Sequence, residues 1–171
     1  MSDKKESEIY APSSSDSRLK ATDASAYIEG RFSDAVEEVK QQHGEVSVYV
    51  KREKLLEVCT FLRDDPKLRF NMLSDLTGFD RGVDESPRFE VIYQLLSLQN
   101  RCRLRLKVRL DEEDCRVSTV SNIWKTANWH ERETYDLLGI EFDGHPDLRK
   151  ILTPEDLEGH PLRKDFPLRG Y

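Results

Sequence analysis

Between Arg101 and Leu110 the chain reads RCRLRLKVRL, a strict alternation of cationic and apolar residues. Successive side chains of a β-strand point to opposite faces, so this run reads as a half-buried strand. Cys102, Leu104, Leu106, Val108 and Leu110 face a core, and Arg101, Arg103, Arg105, Lys107 and Arg109 face away from it. A shift of one residue would drive five cations inward, which fixes the register. The run before it, RFEVIYQLLSL at Arg88–Leu98, is a second strand, and Gln99–Asn100 is a tight connection, so the two predict a hairpin. The cationic row has two readings. It is a solvated face that discourages edge pairing, or an electrostatic face for an acidic partner or for phosphate.

The rest of the order is built around that hairpin. Phe32, Ala35, Val36 and Val39 predict a short amphipathic helix, capped by Ser33 and ended by Gly44. Val46, Val48 and Val50 alternate with polar neighbours as a half-buried strand does. In REKLLEVCTFLRDDP, Leu55, Leu56, Cys59 and Leu62 share a helical face, and Asp64–Asp65–Pro66 stops the helix. Leu68–Leu76 is a further strand, followed by a Gly/Asp/Pro-rich loop at Thr77–Pro87. The expected fold is α+β: a small mixed or antiparallel four-stranded sheet with helices packed on one face, followed by an extended C-terminal tail. It resembles ferredoxin-like folds. Residues 1–30, rich in Ser, Asp, Lys and Ala, predict a flexible arm; 31–139 form the α+β domain. Residues 140–171 carry four prolines after Gly144 and scattered leucines, a tail too apolar to stay free, and predict a segment laid on its own domain or on another subunit.

A net charge of -6 argues against a nucleic-acid binder, which on this sheet would also need aromatics beside the cations. No run approaches the eighteen or so apolar residues of a membrane span, and MSDKKESEIY has no signal-peptide core, so a soluble intracellular protein is expected. Cys59, Cys102 and Cys115 form no CxxC pair and no Cys/His cluster with zinc or iron–sulfur spacing.

The stretch Ser118–Leu152 carries the anomaly. Val120, Ile123, Trp124, Ala127, Thr134 and Leu138 fall on one helical face, and Glu131 falls inside that stripe. Trp129 falls opposite, among Asn122, Lys125, Arg132, Glu133 and Asp136. A carboxylate in an apolar stripe needs compensation. Either Glu131 reaches solvent from a loose or rotated helix, or an Arg or backbone donors hold it while Trp129 docks on another chain. WHERE at Trp129–Glu133 fails as a zinc-protease motif because Thr134 stands where the second His is required. Phosphate loops and a nucleophile elbow are absent, and Glu131 and Glu133 point to different faces, so the residues themselves assign no catalytic site.

Glu131–Arg132–Glu133, Asp136–Leu137–Leu138, His145, Arg149 and Ile151–Leu152, at these spacings, look like the signature of the 30-kDa subunit of respiratory NADH–quinone oxidoreductase, complex I of the bacterial respiratory chain. GHPLRKDFPL at Gly159–Leu168 is similar to that family's ending, as are Arg88–Leu98 and the basic strand after it. The resemblance covers about Phe32 to Tyr171. Leu138 and Leu157 depart from it, standing where relatives often carry an aromatic, and an end at Tyr171 implies a chain unfused to the quinone-site subunit.

The resemblance implies a structural subunit of the hydrophilic arm, lying against the quinone-site (49-kDa-type) subunit and its neighbours. It implies no flavin, iron–sulfur cluster or quinone on this chain; FMN, clusters and quinone belong to partner subunits. It implies peripheral attachment on the cytoplasmic side of the bacterial membrane, indirectly, through the complex. The equivalent subunit of a membrane-bound hydrogenase is the alternative. The structural and interface residues expected are Glu131 and Arg132, tying the helix to sheet or tail; Trp129, Glu133 and Asp136, facing the partner; His145, Arg149 and Lys150, anchoring the tail's start; and Arg163, Lys164 and Asp165, anchoring its end.

Overall fold

The computed structural model describes residues 19–167. In chain order they form α1 (Ala21–Arg31), β1 (Val36–Gln42), β2 (Glu45–Val50), α2 (Leu55–Asp64), β3 (Met72–Asp80), β4 (Phe89–Ser97), β5 (Cys102–Leu110), β6 (Arg116–Ser118), α3 (Ala127–Leu138) and β7 (Glu141–Asp143), with a 3-10 turn at Arg52–Lys54 leading into α2. Five strands, not four, make the main sheet, in the order β1-β2-β5-β4-β3. Only β2 and β5 run parallel within it, and β6 pairs with β7 in a separate parallel pair.

The register is the one the alternation of β5 demands. Val48 lies beside Leu106, Leu106 beside Tyr93, and Tyr93 beside Leu76, so one face of four strands is continuously apolar. Ile28 of α1, Leu55, Val58 and Leu62 of α2, and Ala127 and Leu138 of α3 join that face in a single core. Each large side chain buried there contributes about 1.5–3 kcal/mol. On the opposite face the basic row is largely neutralised within the chain. Arg105 meets Glu45 at 2.5 Å, Lys107 meets Glu90 at 3.1 Å, and Arg109 meets Glu38 at 2.6 Å and stacks on Tyr49 at 4.0 Å.

The extra strand is β1, in the segment expected to be helical. His43 and Gly44 both adopt positive φ, 51° and 80°, the pair of left-handed residues that a two-residue hairpin turn requires. Gly44 therefore ends a strand and turns it back antiparallel onto β2. The segment expected as an arm also differs. Its last third is α1, whose Ala24 and Ile28 are fully buried, and Phe32 just beyond packs edge-on against Phe61 at 5.1 Å. Residues 1–18 lie outside the described residues.

Strand β3 starts four residues later than expected and runs through Gly78 into the expected loop. Arg69, at φ 47°, turns the chain ahead of it, so Leu68 and Phe70 are buried as plugs outside the strand. Gly78 suits the strand because a Cβ there would come within 2.5 Å of Leu138 and 2.8 Å of Thr134. Its missing side chain lets α3 lie close on β3.

Candidate functional site

Helix α3 begins at Ala127, so the helical face expected from Val120 onward is helical only in its second half. Val120, Ile123 and Trp124 lie in the turns before it, where the Trp124 indole donates to the Phe70 carbonyl at 3.1 Å. Those turns explain Glu131. Its side chain is 0% exposed, and one carboxylate oxygen accepts the Val120 N–H at 2.7 Å. The other accepts the Thr119 hydroxyl. Burial pushes the Glu131 carboxyl up to about 7, against the lowering effect of those two donors. Glu131 is thus held by a hydroxyl and a backbone amide, and it ties α3 to the segment that enters it.

His145 Nε2 lies 3.8 Å from the same carboxylate. The ring is oriented by two backbone groups: Nε2 is 3.1 Å from the Asn128 carbonyl, and Nδ1 accepts the Asp147 N–H at 3.0 Å. With Nδ1 accepting from Asp147, Nε2 is the nitrogen turned to the Asn128 carbonyl. Arg132, one residue on from Glu131, reaches the tail, donating from Nε to the Arg149 carbonyl and from Nη2 to the Lys150 carbonyl, both at 3.2 Å.

Asp136 corrects an expectation. It does not face outward but is fully buried. One oxygen accepts the successive amides of Ile151, Leu152 and Thr153 at 3.0, 2.7 and 2.9 Å, and the other accepts the Thr153 hydroxyl. These donors hold its carboxyl at about 2 in spite of burial. The C-terminal carbonyls of α3, left without helical partners, are taken by the same tail. His160 Nδ1 is 2.9 Å from the Asp136 carbonyl, the Leu162 N–H donates to Leu137 at 2.9 Å, and Arg163 donates to Leu138 at 2.7 Å. Gly139, at φ 72°, closes the helix, and a Cβ there would strike His160 and Arg163.

A second buried carboxylate holds the tail's far end. Asp80 pairs with Arg88, their side chains 1% and 3% exposed, and also accepts the Lys164 N–H at 2.8 Å and the Gly82 N–H at 2.9 Å. Asp165 and Glu112 meet the same guanidinium at 2.6 and 2.5 Å. The Asp80 carboxyl falls to about 2, because the Arg88 and backbone hydrogen bonds outweigh its desolvation. Arg88 is driven the other way, held charged chiefly by Asp80. Lys150 Nζ closes a loop of the tail by donating to the carbonyls of Pro154 and Leu157. Among the described residues the Arg149 side chain reaches only Asp147, at 3.0 Å on the surface.

The tail-facing side of α3 therefore gathers Arg132 and Asp136, and the tail supplies His145, Lys150, Arg163, Lys164 and Asp165. The outward side carries Trp129, Glu133 and Leu137 at four-residue steps. Trp129 is 62% exposed beneath the Arg132 guanidinium, 5.3 Å from its ring. Leu162 of the tail, 57% exposed, lies beside Leu137. Between α3 and β3 is a hollow of about 140 Å³. A larger cleft of about 810 Å³, lined by Lys20, Arg101 and Arg103 among others, shares Asp75 with that hollow and holds none of the α3 or tail residues.

Chemically the arrangement binds chain to chain. Asp136 and Asp80 are spent on amides, and among the described residues no three His, Cys, Asp or Glu side chains are grouped to hold a metal. No helix among them is long and apolar enough to cross a membrane. Thr119, Asp80, Arg88, Gly139 and His160 join the site beyond the residues expected from sequence. Only Gly139, following a helical run, has a local signal; the others act across 8 to 84 positions of chain.

Residues 48–171 match the family model described as the respiratory-chain NADH dehydrogenase, 30 Kd subunit. The "C 2" subunit of NADH-quinone oxidoreductase from Rhizobium meliloti is 51% identical over 142 residues, 83% of this chain and 77% of that protein. The corresponding NADH-quinone oxidoreductase subunit of Geobacter sulfurreducens is 47% identical over 140 residues, 82% of this chain and 85% of that one. Among solved structures, a trypsin-resistant fragment of Nqo5 superposes with a TM-score of 0.63 at 35% identity, covering 72% of this chain and 96% of the fragment. A chain of the archaeal membrane-bound sulfane sulfur reductase superposes at 0.71 with 22% identity over 86% and 85%, a likeness of fold. With most of its length matched by the family model and by relatives at about half identity, this chain belongs to the family of the 30-kDa subunit of respiratory-chain NADH dehydrogenase.

Proposed function

We propose that the chain is a structural subunit, without cofactors of its own, of the hydrophilic arm of the proton-translocating NADH–quinone oxidoreductase. It supports electron transfer from NADH to quinone by holding the quinone-site (49-kDa-type) subunit, and it reaches the cytoplasmic side of the membrane only through the complex. FMN, iron–sulfur clusters and quinone reside on neighbouring subunits.

The carrying observation is the family match, which spans both the α+β domain and the tail. The geometry agrees with a bracing role. At the α3–tail junction the side chains of Glu131, Arg132, Asp136, Lys150 and Arg163 fix chain to chain, while Trp129, Glu133 and Leu162 are left exposed. Aromatic anchors of that kind are the usual centres of protein interfaces. A hydrogenase-type complex is the weaker reading, because relatives at about half identity carry the NADH–quinone name.

The test is affinity isolation of the tagged chain from native membranes, with mass identification of what accompanies it. Co-isolation with the 49-kDa-type subunit and flavin-bearing subunits is expected. A chain that travels only as a free monomer, or that alone oxidises NADH or reduces quinone, overturns the reading.

A further inference from the structure

The hollow between α3 and β3 has a chemistry of its own. Leu76, Thr134 and Leu138 are buried at its base, where Gly78, having no side chain, lets Leu138 and Thr134 of α3 lie directly on β3. Two carboxylates, Asp75 and Glu133, line it from exposed positions and so stand at its mouth. His130 Nδ1 is 3.5 Å from Asp75. At about 140 Å³ the hollow has room for one side chain; an apolar cavity of roughly 150 Å³ accepts a benzene ring. Apolar depth with an anionic rim suits a side chain with an aliphatic stem and a cationic head.

We propose that this hollow receives one basic side chain, Arg or Lys, from the subunit that docks on α3. Its methylenes lie over Leu76 and Leu138, and its charged head sits between Asp75 and Glu133. The inference rests on the docking role proposed above and adds the anchor's chemistry. Trp129 lies one helical turn before Glu133 and flanks the mouth, so anchor and aromatic form one patch. An Arg fits better than a Lys, because its planar fork bonds two carboxylates at once.

The test uses the full tagged chain, isolated with its complex from membranes of cells lacking the native copy. Retention of the 49-kDa-type subunit is measured against salt concentration. Asp75→Asn with Glu133→Gln removes both rim charges at exposed positions and is expected to leave the melting temperature of the isolated chain unchanged. It should weaken retention by roughly ten-fold and flatten its salt dependence. Leu137→Trp fills the hollow with the charges intact and should weaken retention without flattening. Full retention in the first variant sinks the proposal. So does a solved assembly with an apolar or acidic partner side chain in the hollow. If the carboxylate variant loses its effect once residues 168–171 are removed, this chain's own C-terminus is the occupant and the proposal falls. Should the unaltered chain retain no partner, the docking role fails instead, and the two failures are distinguishable.

Discussion

Replacing Asp136 by Asn tests the reading of the tail most directly. The carboxylate accepts three consecutive amides and one hydroxyl from residues 151–153, and these lower its carboxyl to about 2 from an ordinary 3.8. At about 1.4 kcal/mol per pKa unit, that preference for the charged form corresponds to roughly 2–3 kcal/mol at neutral pH. Asn keeps one acceptor and turns an NH2 toward donors, so a loss of about 2–3 kcal/mol is expected. The loss has a ceiling. Once the tail's grip on α3 is weaker than the strain of the misfit, the tail leaves and the amides reach water, so the deficit stops at the free energy of tail docking. Amide exchange at 151–153 and 162–166 should therefore accelerate strongly, while amides of β4 and β5 change only by the global loss. The pH dependence has a definite sign. A depressed carboxylate contributes its stability above the unfolded value near 4 and loses it as pH falls through about 2. The difference between the parent chain and Asp136→Asn, measured by urea unfolding, should stay constant from pH 7 to about 5 and shrink below 4. A variant within 0.5 kcal/mol of the parent (about the scatter of a neutral surface change), with unaltered exchange at 151–153, would refute the account.

Three further outcomes are expected. Arg88→Met leaves Asp80 buried without its cation and should cost about 3–5 kcal/mol in urea unfolding. Glu131→Gln should change the pH profile in the opposite sense to Asp136. The Glu131 carboxyl is raised to about 7, so the folded chain holds a proton that the unfolded chain has lost, and stability falls by about 3 kcal/mol as pH rises from near 4.5 to 7; the variant should flatten that decline. Trp129→Ala should leave thermal stability within about 1 kcal/mol of the parent yet reduce co-isolation of the neighbouring subunit, which a tagged pull-down measures.

What can be read from residues alone follows from the range over which each signal acts. The β4–β5 hairpin is legible because alternation and a short connection are local, and β5 alone sets the register of the sheet. β1 looks helical because Phe32, Ala35, Val36 and Val39 fit a helical spacing, while the deciding event is a His43–Gly44 turn whose first residue is not the usual Asn or Asp. α1 is hidden because its burial rests on little more than Ala24 and Ile28. At the site, the misplaced charge of Glu131 is visible, and so is the alternative that backbone donors hold it. Asp136 reads as outward-facing because its partners are amides fifteen to seventeen residues on, and an amide leaves no trace in a sequence. The pairing of Asp80 with Arg88 is hidden for the related reason that the expected strand ends before Asp80, whereas β3 runs on to include it.

One consequence of the tail's anchoring concerns what may be substituted in it. Asp136 and Asp80 grip hydrogens that every residue but proline possesses. Ile151, Leu152 and Lys164 are thus free, as far as attachment goes, to be almost anything. The two aspartates have no such latitude. A strap fastened by its main chain can drift in composition to follow a changing neighbour while its points of attachment stay where they are.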